Sequence, residues 1–397
     1  MDRTHAVSAG SGDPFAEPER LQQLRAEIRE LCARFPESYW RGLDARRDYP
    51  EAFVQAMTAA GWLGALIPTA YGGLGYGLQE ACAILGEINR QGGYAGPAHA
   101  QIYMMSALLR HGSEAQKARY LPPIADGSLR LQAFAVTEPD AGTDTTRIST
   151  QAVREGDEYV VHGRKIYISR VQQSDMMLLL ARTAPREEAN PTAGLSLFLV
   201  DLKAAGDAIR LRPLRMMMNN ATNEVTIDGL RIPAENLVGT EGQGFRHILD
   251  GWNAERILIA AECVGDGRWF VDRAAGYARQ RIVFGRPIGA NQGIQFPLAT
   301  VWAQLEAADL VTRRAAARFD AGLSCGPDAN TAKFLASEAS WAAANAAVDT
   351  LGGHGFNAEH DIERKFRETR LYKVAPVSNN LVLAYLSQHV LGLPRSY

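Results

Sequence analysis

The sequence has few cysteines, no long apolar run and no excess of charge of either sign. Its 397 residues include four cysteines, which lie far apart: Cys32, Cys82, Cys263 and Cys325. This spacing gives neither a CxxC motif nor the dense framework of a secreted disulfide protein, so we expect a reducing, cytoplasmic environment. Lys and Arg total 42 against 44 Asp and Glu, which provides no general attraction for nucleic acid or an anionic membrane.

Hydrophobic segments are equally limited. No apolar run reaches the length of about 20 residues that a transmembrane helix requires, so we expect no membrane insertion. The first residues, MDRTHAVSAGSGDPFAEPER, lack the apolar core of a signal peptide, and we expect residues 1–20 to form a flexible tail. The histidines show no HxxxH or HExxH grouping, so the sequence predicts no metal site.

The period of the apolar residues divides the rest of the chain into three regions. Over residues 21–131 they recur with a helical period, as in LQQLRAEIRELCARF, which predicts a helical domain. Over residues 132–241 the period falls to two in runs such as YVVHGRKIYIS and LSLFLVDL, which indicates a small β domain. Four long Ala-rich stretches in residues 242–397 predict a C-terminal four-helix bundle. The expected fold class is α+β and multidomain.

The segment AFAVTEPDAGTDTT joins the first helical region to the first strands. It combines small residues, hydroxyls and carboxylates, so its backbone N–H groups and hydroxyls suit a flat polar ligand or a phosphate. Taken alone, the segment is equally consistent with a turn-rich linker.

Within this segment, VTEPDAGTD resembles the flavin-contacting motif of the acyl-CoA dehydrogenase family. Other family signatures occur at suitable spacing along the chain: IPTAYGGLGYG, GRKIYIS, IPAENLVGTEGQGF, RIVFGRPIGANQ and LGGHGF. The resemblance covers residues 21–393 and implies a β-barrel-like middle domain, FAD as cofactor and a homo-oligomer, either a dimer or a tetramer. It also implies dehydrogenation of acyl-CoA to the trans-2-enoyl-CoA in fatty acid metabolism, with electrons passing to electron-transfer flavoprotein.

The resemblance assigns the cofactor contacts to two sets of residues. Thr137, Thr143, Tyr167 and Ser169 correspond to groups around the isoalloxazine ring and its ribityl and phosphate chain, where hydroxyls can tune the flavin. The family usually has Trp at the position of Tyr167. A second set corresponds to positions that hold the adenine and pyrophosphate, partly from a neighbouring subunit: Arg281, Phe284, Gln292, Gly352 and Gly353. An isolated protomer would then have an incomplete site, so we expect at least a dimer.

Desaturation beside a thioester carbonyl requires a base that takes the α proton. Most family members carry a glutamate near the C-terminus, and the matching segment RETRLYKVAPVSNN has Pro376 at that position. Proline can neither accept a proton nor donate a backbone N–H. The isovaleryl-CoA and long-chain branches carry the base earlier, and GWNAERILIAAECVG matches their pattern with Glu255. Periodicity alone favours a solvated helix carboxylate; the resemblance favours Glu255 as the base, with Glu262 in reserve.

Further contacts follow from the same resemblance. Ser378 replaces the family threonine after the usual base, and we expect it to hydrogen-bond the flavin. Substrate contacts are expected from a third set: Trp252, Asn253, Arg256, Gln101 and Met104. For Trp252 and Met104 the simpler interpretation is packing in a helical core.

Two other functions stay open on the sequence. Relatives with the same fold act as oxidases, monooxygenases or desulfinases, and the proline at the usual base position is compatible with such altered chemistry. A catalytically silent acyl-CoA-binding subunit that pairs with an active partner is the third hypothesis, and Glu255 argues against it.

Overall fold

The structure is a computed structural model that describes residues 16–395. Most of the predicted tail at residues 1–20 lies outside this range, and the first helix begins at Glu19, two residues before the predicted start of the helical domain. The helices of this first region are α1 (Glu19–Ala33), α2 (Glu37–Arg46), α3 (Glu51–Ala59), α4 (Leu78–Arg90), α5 (Gly96–His111) and α6 (Glu114–Ala125). The helical period of the sequence therefore predicted this region correctly.

Prolines mark the start of the first three helices. Pro18, Pro36 and Pro50 directly precede α1, α2 and α3, where a residue without an N–H removes no intrahelical hydrogen bond. The apolar stripe of α1 is buried as its spacing predicts. The central helix α4 is buried on almost every side, including Glu80, Glu87 and Asn89.

The middle region is a mixed sheet. Its strands, with one short helix α7 (Leu202–Ala205), are β1 (Leu131–Ala135), β2 (Gln151–Glu155), β3 (Glu158–Ser169), β4 (Met176–Arg182), β5 (Leu195–Asp201), β6 (Ile209–Pro213), β7 (Thr222–Pro233) and β8 (Leu237–Val238). Among the described residues the strands pair in the order β6-β7-β3-β2-β4-β5-β8, and β1 lies parallel to β4. Of the predicted flavin residues, Thr137 follows the end of β1, and Tyr167 and Ser169 lie at the end of β3.

The sheet is curved, so that side chains from its two halves pack together in one core on its inner face. Every residue of β4 is buried. Its alternate residues enter two cores: Leu178 packs with α5 and α6, whereas Leu179 packs with β3 and β7. The rings of Tyr159 and Phe198, from opposite halves of the sheet, lie 4.9 Å apart between centroids. This arrangement agrees with the expected barrel-like middle domain.

The C-terminal region consists of long helices, and a small exposed hairpin connects the first two of them. Its elements are α8 (Gly244–Gln280), β9 (Ile282–Val283), β10 (Arg286–Pro287), α9 (Gln292–Asp320), α10 (Gly326–Leu351), α11 (Gly353–Phe356), α12 (Ile362–Val374) and α13 (Asn379–Tyr385). Helix α8 packs against α9 and α10 and also against α4, so one core joins the two helical regions. The predicted α+β class with its C-terminal helical bundle is confirmed.

Within residues 16–395, no helix combines the length and the apolar character needed to cross a bilayer. In the same part of the chain, no three His, Cys, Asp or Glu side chains are grouped so that they could hold a metal ion.

Candidate active site

The predicted flavin residues of the middle region lie where β1 and β3 end. The backbone N–H of Ile166 donates to the carbonyl of Thr137 at 2.9 Å, which joins the two segments. Tyr167 has a positive φ of 61° and a side chain that is 58% exposed. A positive φ is unfavourable for a bulky residue, and here it accompanies a ring that points out of the sheet. Tyr167 is thus an exposed aromatic surface and not a core residue of the strand.

A buried ion pair, which was not predicted from the sequence, holds the segment after β1 against β3. Lys165 Nζ lies 2.9 Å from Glu138 Oε1 and 3.0 Å from the carbonyl oxygen of Val136. Glu138 also accepts backbone N–H bonds from Ser149 and Thr150, at 2.7 and 2.9 Å. Burial opposes ionisation of the carboxyl, but Lys165 and these donors lower the pKa of Glu138 to about 2. One carboxylate therefore connects β3 to both ends of the Thr137–Ser149 loop.

Ser169 is fixed by amide and hydroxyl groups of the neighbouring loop. Asn220 Nδ2 donates to Ser169 Oγ at 2.8 Å, and Asn220 Oδ1 accepts from Tyr94 and from Arg170. The hydroxyl of Ser169 also lies 3.3 Å from that of Thr222. Its rotamer is consequently set before any ligand binds. The exposed Thr143 lies further along the loop that Glu138 holds.

Glu255 lies on α8 and is 5% exposed. Burial raises the pKa of Glu255 to about 7, aided by the negative charge of Glu262, while His99 and Arg256 oppose the shift. Within residues 16–395, no hydrogen-bond donor lies on this carboxyl group. A buried carboxyl without donors and with a pKa near neutrality has the properties of a general base.

Glu262, the reserve candidate, is differently placed. It is 2% exposed, and both of its carboxylate oxygens are hydrogen-bonded, Oε1 to His99 Nδ1 at 2.6 Å and Oε2 to the Tyr372 hydroxyl at 2.8 Å. Both oxygens of Glu262 are thus occupied by protein partners, and a substrate proton could reach one of them only if such a contact broke. Of the two carboxyl groups, Glu255 is therefore better suited to proton abstraction.

The C-terminal segment contains no alternative carboxylate. From Thr369 to Tyr397 the sequence has neither Asp nor Glu. Pro376 lies between the end of α12 and the start of α13, and Ser378 caps α13 by accepting the backbone N–H of Leu381 at 3.4 Å. The contact predicted between Ser378 and the flavin stays a prediction.

The predicted substrate residues fall into two groups. Trp252, Asn253 and Arg256 are partly accessible on α8 beside Glu255, and Arg256 donates to Asn253 Oδ1 at 3.2 Å. Gln101 and Met104 are instead buried in the interior: Gln101 accepts from Gln132 of β1 at 3.4 Å, and Met104 belongs to the core beneath β4. Trp252, Asn253 and Arg256 are thus neighbours of Glu255 along α8, and contact of all five residues with substrate stays a prediction.

One residue of this region was not found from the sequence. Burial and the negative charge of Glu255 raise the pKa of Tyr103, on α5, well above its ordinary value. Its ring lies 5.1 Å from that of His99 and 6.4 Å from that of Phe134, between centroids. A tyrosine one helical turn from a histidine carries no catalytic pattern, so no sequence feature could have identified it.

The second set of predicted cofactor residues lies on the surface of the C-terminal region. Arg281, Gln292, Gly352 and Gly353 are all exposed, and Phe284, at the tip of the β9–β10 hairpin, is 101% exposed. Other large apolar side chains of this region are also exposed, namely Ile282, Phe296, Trp302 and Phe356. Such apolar exposure is typical of a surface that contacts another protein chain.

The three-part fold, with an exposed aromatic ring where β3 ends and a buried carboxyl group on α8, agrees with the class of flavin-dependent dehydrogenases. Family models for the acyl-CoA dehydrogenase N-terminal, middle and C-terminal domains match residues 18–128, 133–230 and 242–386. Together these matches cover most of the chain.

Individual relatives agree with these matches. The acyl-CoA dehydrogenase FadE12 of Mycobacterium tuberculosis is 36% identical over 392 residues, which cover 96% of this chain and 99% of the relative. Subunit CarC of the caffeyl-CoA reductase-Etf complex of Acetobacterium woodii is 32% identical over 335 residues, 82% of this chain and 86% of that subunit. The structure of a glutaryl-coenzyme A dehydrogenase with glutaryl-CoA superimposes with a TM-score of 0.89 at 29% identity, over 97% of this chain and 98% of the other.

The chain therefore belongs to the acyl-CoA dehydrogenase family. It is an oxidoreductase that acts on CH–CH bonds, and its cofactor is FAD. The residues present fit that cofactor. The exposed ring of Tyr167 offers a flat aromatic face, and a Cβ atom at Gly142 would meet nothing within 4 Å, so a ligand can approach the backbone of the Thr137–Ser149 loop.

The raised pKa of Glu255 predicts a pH-dependent cost of folding. Below about pH 4.5 the carboxyl is protonated in both the folded and unfolded states, and no cost arises. Between about pH 4.5 and 7 only the unfolded state ionises, so stability falls as pH rises, by up to about 3 kcal/mol. We expect Glu255→Gln to raise the thermal midpoint at pH 8.5 and to leave it nearly unchanged at pH 4.5.

This comparison requires wild type and variant at equal protein and FAD concentrations, because bound cofactor itself stabilises the fold. An equal change in the thermal midpoint at both pH values would show that burial does not raise the pKa of Glu255.

Proposed function

We propose that this acyl-CoA dehydrogenase uses Glu255 to remove the α proton of an acyl-CoA thioester, giving the trans-2-enoyl-CoA. The observation that carries the proposal is the burial of this carboxyl group on α8, with no hydrogen-bond donor on it among residues 16–395. A base is most effective when its pKa is close to the working pH, and burial raises the pKa of Glu255 to about 7. When bound, FAD supplies the acceptor for the hydride that leaves the β carbon.

The other residues of the site have supporting roles in this proposal. Tyr167 provides the aromatic surface for the ring system, and the hydroxyls of Thr137, Thr143 and Ser169 hydrogen-bond its polar edge and side chain. Ser378 adds a hydroxyl from the start of α13. Trp252 and Asn253 lie beside the thioester in this proposal, and Arg256 contacts the CoA portion, for which a guanidinium is suited by its charge and its several donors.

The function is tested by mixing purified, FAD-loaded protein with a panel of acyl-CoAs without oxygen. Loss of the flavin absorbance together with an enoyl-CoA product supports the proposal. Rapid oxygen consumption in air would indicate an oxidase of the same fold, and bound flavin without any turnover would indicate a silent subunit.

Electron-transfer flavoprotein is the proposed electron acceptor. The name of the CarC relative associates that protein with an Etf complex. The proposed compartment is the cytoplasm, because all four cysteines are buried and free, as suits a reducing environment.

We also propose a homo-oligomer in which the hairpin of one subunit completes the cofactor site of the next. The support is the exposed tip at Phe284, with Arg281 and Gln292 beside it and Gly352 and Gly353 at the start of α11. A guanidinium such as that of Arg281 matches the geometry of a diphosphate. Exposed apolar side chains grouped in this way are typical of a surface that contacts another subunit.

Replacing the hairpin tip tests this assembly. We expect Phe284→Asp to lower the molar mass seen by light scattering and to raise the FAD dissociation constant at least about tenfold, because burying a carboxylate in an apolar contact is costly. The matched control is Val153→Asp, which places the same charge at a residue of β2 that is 56% exposed. If the Phe284 variant keeps both its mass and its FAD affinity, the hairpin is not an interface.

A further inference from the structure

Arg170 is a buried cation at the position that follows Ser169. It comes directly after β3 and adopts the left-handed backbone region, with a φ of 59°. Its backbone N–H donates to the carbonyl of Ala221 at 2.8 Å, and the residue is 9% exposed. A guanidinium stays protonated in proteins. A positive charge therefore lies inside the fold, one position from a predicted flavin contact.

No carboxylate neutralises this charge directly. Within residues 16–395, Arg170 forms no ion pair, and its Nε is a fully enclosed atom without a hydrogen-bond partner. Three carboxylates line the same small pocket as Arg170, and each is already paired with another cation: Asp44 with Arg367, Asp48 with Arg46, and Glu368 with Arg364. A buried charge without a counter-charge is costly, and an anionic ligand nearby would offset that cost.

A short chain of hydrogen bonds connects the guanidinium to the hydroxyl of Ser169. Arg170 Nη1 donates to Asn220 Oδ1 at 2.5 Å, and the Tyr94 hydroxyl donates to the same oxygen at 2.7 Å. Asn220 Nδ2 then donates to Ser169 Oγ at 2.8 Å. The amide has a single orientation, because a guanidinium has no acceptor and must meet the amide oxygen.

The direction of these bonds sets what Ser169 can offer a ligand. Since Ser169 Oγ accepts from Asn220, its own proton is available to donate. Thr222 Oγ1, at 3.3 Å, is a longer and weaker alternative acceptor. Each donor in the chain faces away from Arg170, and hydrogen bonds in series polarise one another. The guanidinium consequently strengthens the donor character of the Ser169 hydroxyl.

The proposed reaction adds a negative charge beside this hydroxyl. The hydride from the β carbon brings two electrons and one proton, and the α proton goes to Glu255. The reduced cofactor therefore carries one more negative charge than the oxidised one. A fixed cation near the ring system attracts that charge and favours the reduced form.

We propose that Arg170 raises the reduction potential of the bound FAD by stabilising the negative charge of its reduced form, with Asn220 orienting the guanidinium and linking it to Ser169. The inference rests on the proposed function, in which the Ser169 hydroxyl contacts the flavin. Arg170 and Asn220 are positioning residues, because they act on the cofactor through Ser169.

The test measures the potential of the bound FAD without any acyl-CoA. The full-length, FAD-loaded protein is reduced stepwise with dithionite without oxygen beside a reference dye, and absorbance gives the ratio of reduced to oxidised FAD. We expect Arg170→Gln to lower this ratio at a fixed potential at least about tenfold, which is about 30 mV for a two-electron couple. Arg170→Lys keeps the charge and should stay within about threefold of the wild type.

Two further variants separate charge from packing. Asn220→Asp leaves Arg170 in place and gives it a carboxylate partner with nearly the shape of the amide, so the ratio should again fall at least about tenfold. The matched control is Arg210→Gln on β6, which removes the same charge from a side chain that is 63% exposed. This control should leave the ratio within about twofold, because solvent and salt screen an exposed charge.

The outcomes distinguish this inference from the function on which it rests. An unchanged ratio in Arg170→Gln or in Asn220→Asp overturns the inference, even if acyl-CoA still reduces the flavin. An equal fall in Arg170→Gln and Arg170→Lys also overturns it, because the effect would then belong to packing. So does an equal fall in Arg210→Gln, which would assign the effect to net charge. If the expected shifts occur but no acyl-CoA reduces the flavin, the inference holds and the proposed dehydrogenation fails.

Discussion

Glu255→Gln is expected to slow flavin reduction by acyl-CoA by about 10²-fold or more while the protein still binds FAD. Glutamine has almost the same shape as glutamate and cannot take a proton, so the change removes the base and little else. The measurement is the rate of flavin absorbance loss in the absence of oxygen at saturating substrate, together with the FAD content of the purified variant.

The matched comparison is Glu262→Gln, an identical change two turns further along α8. Because both oxygens of Glu262 are already hydrogen-bonded, we expect this variant to slow the reduction of flavin by acyl-CoA less than about tenfold. A large loss in the Glu262 variant with little loss in the Glu255 variant would transfer the role of base to Glu262.

Breaking the buried pair of Lys165 and Glu138 is expected to have the largest effect on stability. Removing one member of such a pair leaves an uncompensated buried charge and costs about 3–5 kcal/mol. We therefore expect Lys165→Met to lower the thermal midpoint strongly. It should also raise the FAD dissociation constant at least about tenfold, because the freed carboxylate no longer ties β3 to the Thr137–Ser149 loop.

The neighbouring residue provides a control on the same strand. Arg164 also pairs with a carboxylate, Glu224, at 2.6 Å, but its side chain is 54% exposed. Because the guanidinium of Arg164 is largely in solvent and Glu224 keeps a second partner, Arg212, Arg164→Met should change both the midpoint and the FAD affinity little. Equal effects of the two substitutions would show that the buried pair has no special role in holding the loop.

The periodicity of the sequence was enough to predict the order of the helical and β regions. Burial of one face of a helix or strand imposes a characteristic period on its apolar residues. The periodicity did not show the curvature of the sheet. That property is seen in the contact of Tyr159 on β3 with Phe198 on β5, and the apolar pattern of a strand cannot reveal which distant strand it will face.

Only part of the candidate site could be predicted from the sequence. Family motifs pointed to Glu255 and Tyr167, and the structure shows one buried and the other exposed. The pairs that hold the site join residues far apart in the chain: Lys165 with Glu138, and His99 with Glu262, which are 163 positions apart. Such pairing depends on the assembled fold, so one sequence without its relatives contains no pattern from which it could be predicted.

Hydrogen exchange at the α carbon tests the central claim most directly, because it reports proton removal without any net oxidation. A thioester analogue whose β position carries no hydrogen is incubated with the FAD-loaded enzyme in deuterated buffer, and deuterium at the α carbon is followed by mass spectrometry. The account predicts ready exchange with the wild type and exchange at least about 10²-fold slower with Glu255→Gln. Equal exchange by the two proteins would contradict it.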